Sequence, residues 1–87
     1  MDHSTQIPRL NRIEGQIRGI TRMIQEGRYC VDILTQVKSA SNALAKVQEN
    51  IFKAHLEGCV RNSLTGDDQG ERKAKVDEIL EILSKFR

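Results

Sequence analysis

Aromatic residues are nearly missing from this chain. They make up 3% of 87 residues, Trp is absent, and Tyr29, Phe52 and Phe86 are the whole set. Any core must be built from Leu, Ile, Val and Ala, and a chain this short buries a limited core by itself. Proline occurs once, as Pro8. No segment alternates with the period of a strand, so the expected class is all-α. The length allows one domain, residues 1–87. Excess charge is also lacking, since 14 Lys and Arg face 12 Asp and Glu for a net +2. That balance permits nucleic-acid binding without arguing for it. No signal peptide, lipidation motif or membrane-spanning run is visible. The two cysteines, Cys30 and Cys59, lie too far apart on one expected helix to pair within the chain. Free thiols without an export signal point to the reducing cytosol, hence a cytoplasmic protein. No nucleophile–base–orienter set and no Gly-rich phosphate loop occurs, so no enzyme activity and no small-molecule substrate are expected.

What is present is one long stretch, Tyr29 to Cys59. Cys30 stands near one end, and His55 and Cys59 near the other. At about 100° per residue all three fall within roughly 20° of one line along a helix. At about 1.5 Å per residue, however, Cys30 lies about 37 Å from His55. A straight helix cannot unite them. A second copy running antiparallel can, because it sets Cys30 of one chain beside His55 and Cys59 of the other. The crossing point then falls near Ala43 and Leu44, within the small-residue stretch Ser39-Ala40-Ser41-Asn42-Ala43-Leu44-Ala45. Such a pair is self-complementary, as a two-fold interface must be. Thiolates are soft ligands that select Cu(I), Zn(II) and other thiophilic partners. Two sulfurs and one nitrogen suit trigonal Cu(I), whereas zinc usually takes four ligands. Taken singly, a cysteine is commonly a small buried hydrophobe and a histidine near a helix end is commonly structural. His3, in the polar tail, reads as a solvated residue.

In chain order, residues 1–6 are polar and expected to fray. Leu10, Ile13, Ile17, Ile20 and Ile24 recur at steps of three and four and predict a helix over about 7–27, with Pro8 in its first turn and Gly27 as its stop. Gly15 and Gly19 lie inside it and are expected to allow close packing. Ile33, Val37, Ala40, Leu44, Val47, Ile51 and Ala54 keep the same rhythm and predict a long helix from Tyr29 to about Leu64. Residues 65–70 read as a turn, with Asp67 or Asp68 as a cap. Val76, Ile79, Leu80, Leu83 and Phe86 mark a third helix over about 71–86. Residues 1–64 carry nine Lys or Arg against six Asp or Glu. Arg9, Arg12, Arg18, Arg22 and Arg28 flank the apolar stripe of the first helix, and Lys46 and Lys53 share a face of the second. Most such charges are solvated surface, but an oligomer could offer several to successive phosphates. No helix-turn-helix, zinc-finger or ribbon signature is present.

These residues carry a resemblance. Arg12-Ile13-Glu14-Gly15-Gln16-Ile17-Arg18-Gly19, Tyr29-Cys30 and His55-x-x-x-Cys59 are similar to the copper-sensitive operon repressors (CsoR) and their nickel-, formaldehyde- and persulfide-sensing relatives. The likeness runs from about Arg9 to Phe86. It implies three-helix protomers assembled as an antiparallel dimer and a dimer of dimers, a homotetramer. It implies operator DNA bound in the apo state and released on Cu(I) binding, which would derepress export or resistance genes. By position, Cys30 of one subunit with His55 and Cys59 of its neighbour would hold Cu(I), supported by Tyr29 and an acidic residue, for which Glu71 is expected. Arg9 and Lys46 match basic places that contact DNA in the family, and Arg12, Arg18 and Lys53 are added from the charge pattern. Nickel sensors of the family replace the last cysteine with histidine, and persulfide sensors lack the histidine. His55 and Cys59 together thus favour copper, with a persulfide-responsive thiol repressor using Cys30 and Cys59, or a nickel or zinc sensor, as the alternatives.

Overall fold

The structure, a computed structural model, describes residues 2–60 and 69–86, the side chains of Cys59, Val60, Gln69 and Glu71 excepted. Three α-helices make up most of it: α1 (Ile7–Gln25), α2 (Cys30–His55) and α3 (Gln69–Phe86). A 3-10 turn over Ser4–Gln6 precedes α1, and a π-helical turn over Leu56–Val60 follows α2. No strand occurs among the described residues. The class is all-α with a long central helix, as the periodicity predicts. The chain forms two compact units, Asp2–Phe52 and Lys53–Arg87.

In the first unit α1 lies antiparallel to α2. Two hydrogen bonds fix the register: Asn50 Nδ2 donates to Gln6 Oε1 at 3.0 Å, and Gln16 Nε2 donates to Ser39 Oγ at 2.9 Å. Ile13, Ala40 and Val47 are the buried apolar residues. The stripe expected on α1 is therefore only partly covered. Ile13 is buried, while Leu10, Ile17 and Ile24 stay exposed. The reason is geometric: one neighbouring helix covers only the narrow strip that its ridges and grooves can reach.

The ends of α1 follow from local chemistry. Pro8 sits in the first turn, where no backbone donor is lost. Before it, residues expected to fray instead form an ordered turn. Asp2 Oδ1 accepts from the Ser4 N–H at 2.9 Å, and Oδ2 accepts from Ser4 Oγ at 3.0 Å. These bonds to Ser4, the backbone one first, hold the Asp2 carboxyl below its usual range. At the other end Gly27 takes φ +67. Gly27 N–H donates to Ile24 O at 3.1 Å and Arg28 N–H to Met23 O at 3.0 Å, the paired bonds of a Schellman cap. A Cβ on Gly19 would meet nothing within 4 Å, and one on Gly15 only the tip of Arg18 at 3.7 Å. The close packing expected at both glycines is thus not found among the described residues.

The second unit contains the last turn of α2, the π turn and α3. The second helix does not continue as α-helix to Leu64. Regular α geometry ends at His55 and widens to i→i+5 bonding over Leu56–Val60. Residues 61–64 lie outside the described residues, as do Thr65 to Asp68 with both candidate caps. Gln69 and Gly70, expected in a turn, open α3 instead.

Candidate metal centre

Each expected ligand lies at an element boundary. Cys30 is the first residue of α2, placed there by the Gly27 reversal just upstream. Tyr29 O accepts from Ile33 N–H at 3.2 Å, and Asp32 stands in the first turn, where an acidic side chain suits the helix dipole. The Cys30 thiol is free and exposed. Tyr29 is 69% exposed. His55 is the last residue of α2. Cys59 belongs to the π turn that follows, and its side chain lies outside the described residues. A π turn advances fewer degrees per residue than an α turn, which reduces the angular drift between positions i and i+4, here His55 and Cys59. Such turns recur at functional sites.

His55 has a partner that the sequence did not indicate. Its Nε2 lies 3.0 Å from Oε1 of Glu78 on α3, with the two side chains 23% and 38% exposed. The distance suits a hydrogen bond, yet Nε2 is closed to solvent without an aligned one. The approach is therefore a close electrostatic contact whose angle falls short of a hydrogen bond. Oε2 of Glu78 accepts from Lys75 Nζ at 3.3 Å. The expected acid, Glu71, has its side chain outside the described residues. Glu78 carried no motif or spacing toward His55. Only the packing of α3 on the end of α2 makes them neighbours.

Cysteine thiols and an imidazole are donor types that suit a thiophilic metal. With Nε2 facing a carboxylate, Nδ1 of His55 would be the nitrogen left for an ion, the usual division of labour in metal-binding histidines. Among the described residues no group of three or more His, Cys, Asp or Glu lies close enough to hold a metal. Cys30 is thus not joined to such a cluster within the described part of one chain.

The expected DNA-contacting residues fall into two kinds. Arg18 pairs with Glu14 at 2.8 Å and Lys46 with Glu49 at 3.7 Å, all four side chains more than half exposed. Such pairs are worth about 0–1 kcal/mol, so a phosphate could displace the carboxylates. Arg9, Arg12 and Lys53 make no ion pair among the described residues. Arg9 and Arg12 lie one turn apart, whereas Arg18 stands roughly 180° from Arg9 around α1. A single phosphate track therefore does not take both.

No helix among the described residues is long and apolar enough to cross a membrane. A family model described as "Metal-sensitive transcriptional repressor" matches residues 2–85. The copper-sensing transcriptional repressor RicR of Mycobacterium tuberculosis (strain ATCC 25618 / H37Rv) is 45% identical over 62 residues, covering 71% of this chain. The match spans 65% of RicR, just under two thirds of its length. The copper-sensing transcriptional repressor CsoR of Bacillus subtilis (strain 168) is 40% identical over 78 residues, covering 90% of this chain and 74% of the relative. The crystal structure of the copper-sensing repressor CsoR with Cu(I) from Geobacillus thermodenitrificans NG80-2 aligns with TM-score 0.84 and 31% identity, covering 95% of this chain and 83% of that one. The nickel-responsive transcriptional regulator InrS aligns with TM-score 0.84 and 32% identity, covering 100% of this chain and 94% of that one. An all-α fold, a thiol opening the central helix and a carboxylate-backed histidine closing it thus accompany a family match over nearly the whole sequence: this chain belongs to the metal-sensitive transcriptional repressors, a family of regulators rather than of enzymes.

Proposed function

We propose that the protein is a Cu(I)-responsive repressor, a single sensor domain that acts in the cytosol as an antiparallel dimer or dimer of dimers. The observation that carries this reading is the state of the α2 surface beside Cys30. Val37, Leu44 and Ile51 lie within about 60° of the Cys30 line. They are 46%, 50% and 37% exposed in the single chain. A contiguous exposed apolar face marks an interaction surface. A second α2 crossing near Ala43 and Leu44 covers it, since Val37 and Ile51 stand at similar distances on either side of that point. The same crossing brings Cys30 of one copy to His55 and Cys59 of the other.

Those three residues would hold Cu(I), which when bound supplies a bond joining the ends of two α2 helices. His55 offers Nδ1, and Glu78 ties the imidazole to α3. Tyr29, beside Cys30, is suited to steady the same end of the bundle. The operator would be held through phosphate contacts by Arg9, Arg12, Lys46 and Lys53, with Arg18, on the opposite side of α1, reaching a separate phosphate track. By linkage, Cu(I) weakens DNA binding only as far as DNA weakens Cu(I) binding.

The test is an operator titration with and without Cu(I) under strict reduction, repeated with Cys30→Ala. The wild type is expected to lose affinity on adding Cu(I), and the variant to keep it. Unchanged wild-type affinity would remove the copper reading. The likeness to nickel-responsive InrS supports a second reading, a nickel sensor. X-ray absorption of the loaded protein separates the two, since two sulfurs and one nitrogen in a trigonal shell indicate Cu(I), while a tetragonal nitrogen-rich shell indicates nickel.

A further inference from the structure

We propose that Lys75 is a positioning residue for His55, acting through Glu78. The inference rests on the metal-sensing reading but adds a member that no ligand motif contains. Glu78 divides its carboxylate: Oε1 faces His55 Nε2 at 3.0 Å and Oε2 accepts from Lys75 Nζ at 3.3 Å. Lys75 and Glu78 are one turn apart on α3, so the helix itself sets their pairing.

This pair differs from the other ion pairs on the helices. The side chains of Arg18 and Glu14 are 70% and 67% exposed, and those of Lys46 and Glu49 are 53% and 69% exposed. Lys75 and Glu78 are 31% and 38% exposed. Solvent screens the last pair least. A glutamate of this length has several rotamers, and only some point Oε1 at the imidazole. The lysine selects among them by holding the other oxygen.

The consequence is felt at the imidazole. An anionic oxygen facing Nε2 favours the tautomer that carries its proton there, which leaves the Nδ1 lone pair for a ligand. The contact with Nε2 is short but not aligned, so a small rotation of the ring completes the hydrogen bond. Lys75 keeps the acceptor in place for that rotation. Without it the carboxylate swings more often toward water, and the ring is held less firmly to α3, so a change at the metal reaches that helix more weakly.

The experiment compares the wild type with Lys75→Met, which keeps most of the apolar stem but not the charge, and Lys75→Arg, which keeps the charge. Two-bond 1H–15N NMR on the metal-free protein reads the His55 tautomer without metal or DNA. The wild type and Lys75→Arg are expected to hold the Nε2–H form, and Lys75→Met to show a mixture. With Cu(I), Lys75→Met should keep the wild-type sulfur and nitrogen shell by X-ray absorption. Its copper-driven loss of operator affinity should shrink by about threefold to tenfold, and Lys75→Arg should restore it. A wild-type tautomer together with a wild-type copper response in Lys75→Met would overturn the proposal. If copper leaves even wild-type operator affinity unchanged, the metal reading fails instead, and the apo tautomer measurement still decides the role of Lys75.

Discussion

At residue 27 one backbone angle decides where Cys30 stands. Gly27 holds φ +67, and the two hydrogen bonds of the cap turn the chain from α1 into α2 within a few residues. Space is not the constraint, since a Cβ there would meet nothing within 4 Å. The constraint is conformational, because a side chain in the left-handed region costs about 1–2 kcal/mol. Gly27→Ala is accordingly expected to lower stability by about 1 kcal/mol in urea unfolding, with an unchanged slope. This glycine was legible in the sequence as a helix stop. Glu78 was not. A carboxylate on a solvated helix carries no mark of the histidine it will face, and Glu71 stood nearer in sequence to the expected place.

At the scale of the element, α2 presents two apolar strips with different fates. Ala40 and Val47, seven residues apart, are buried against α1. Val37, Leu44 and Ile51, also seven apart, run beside them in the open. Periodicity revealed both strips, but a repeat of seven does not say which neighbour covers which strip. The proposed antiparallel pairing makes a sharp contrast testable. Leu44→Glu puts a charge at the proposed crossing point. It is expected to yield a folded, helical monomer by sedimentation velocity and circular dichroism. Val47→Glu places the charge inside the hairpin and is expected to unfold it, because a buried unpaired charge is far costlier than an exposed one. Assembly unaffected by Leu44→Glu would count against the crossing.

For the whole molecule, the net charge of +2 is too small to account for operator binding by bulk attraction. Placement of a few cations must do it. Arg9 makes no ion pair among the described residues, so its removal breaks no internal bridge. Arg9→Ala is expected to weaken operator binding across sequences and to reduce the slope of log K against log salt by about 1 for each phosphate that the arginine neutralises. A salt titration of the two proteins checks it, and equal slopes would exclude Arg9 from the phosphate-binding set. In an oligomer the effect multiplies with the number of copies that touch the duplex.

The sequence by itself determined the class, the number of helices, the turn at Gly27 and the candidate ligands Cys30, His55 and Cys59. All of these depend on local steric preference, on the 3.6-residue period, or on which atoms are soft donors. The tertiary structure alone decided that α2 leaves α geometry at His55, that Ile13 is buried while Leu10 and Ile17 are not, and that Glu78 and Lys75 stand behind the histidine. Those outcomes depend on which helix lies against which. That arrangement is set by shape over distances along the chain that no local pattern of residues encodes.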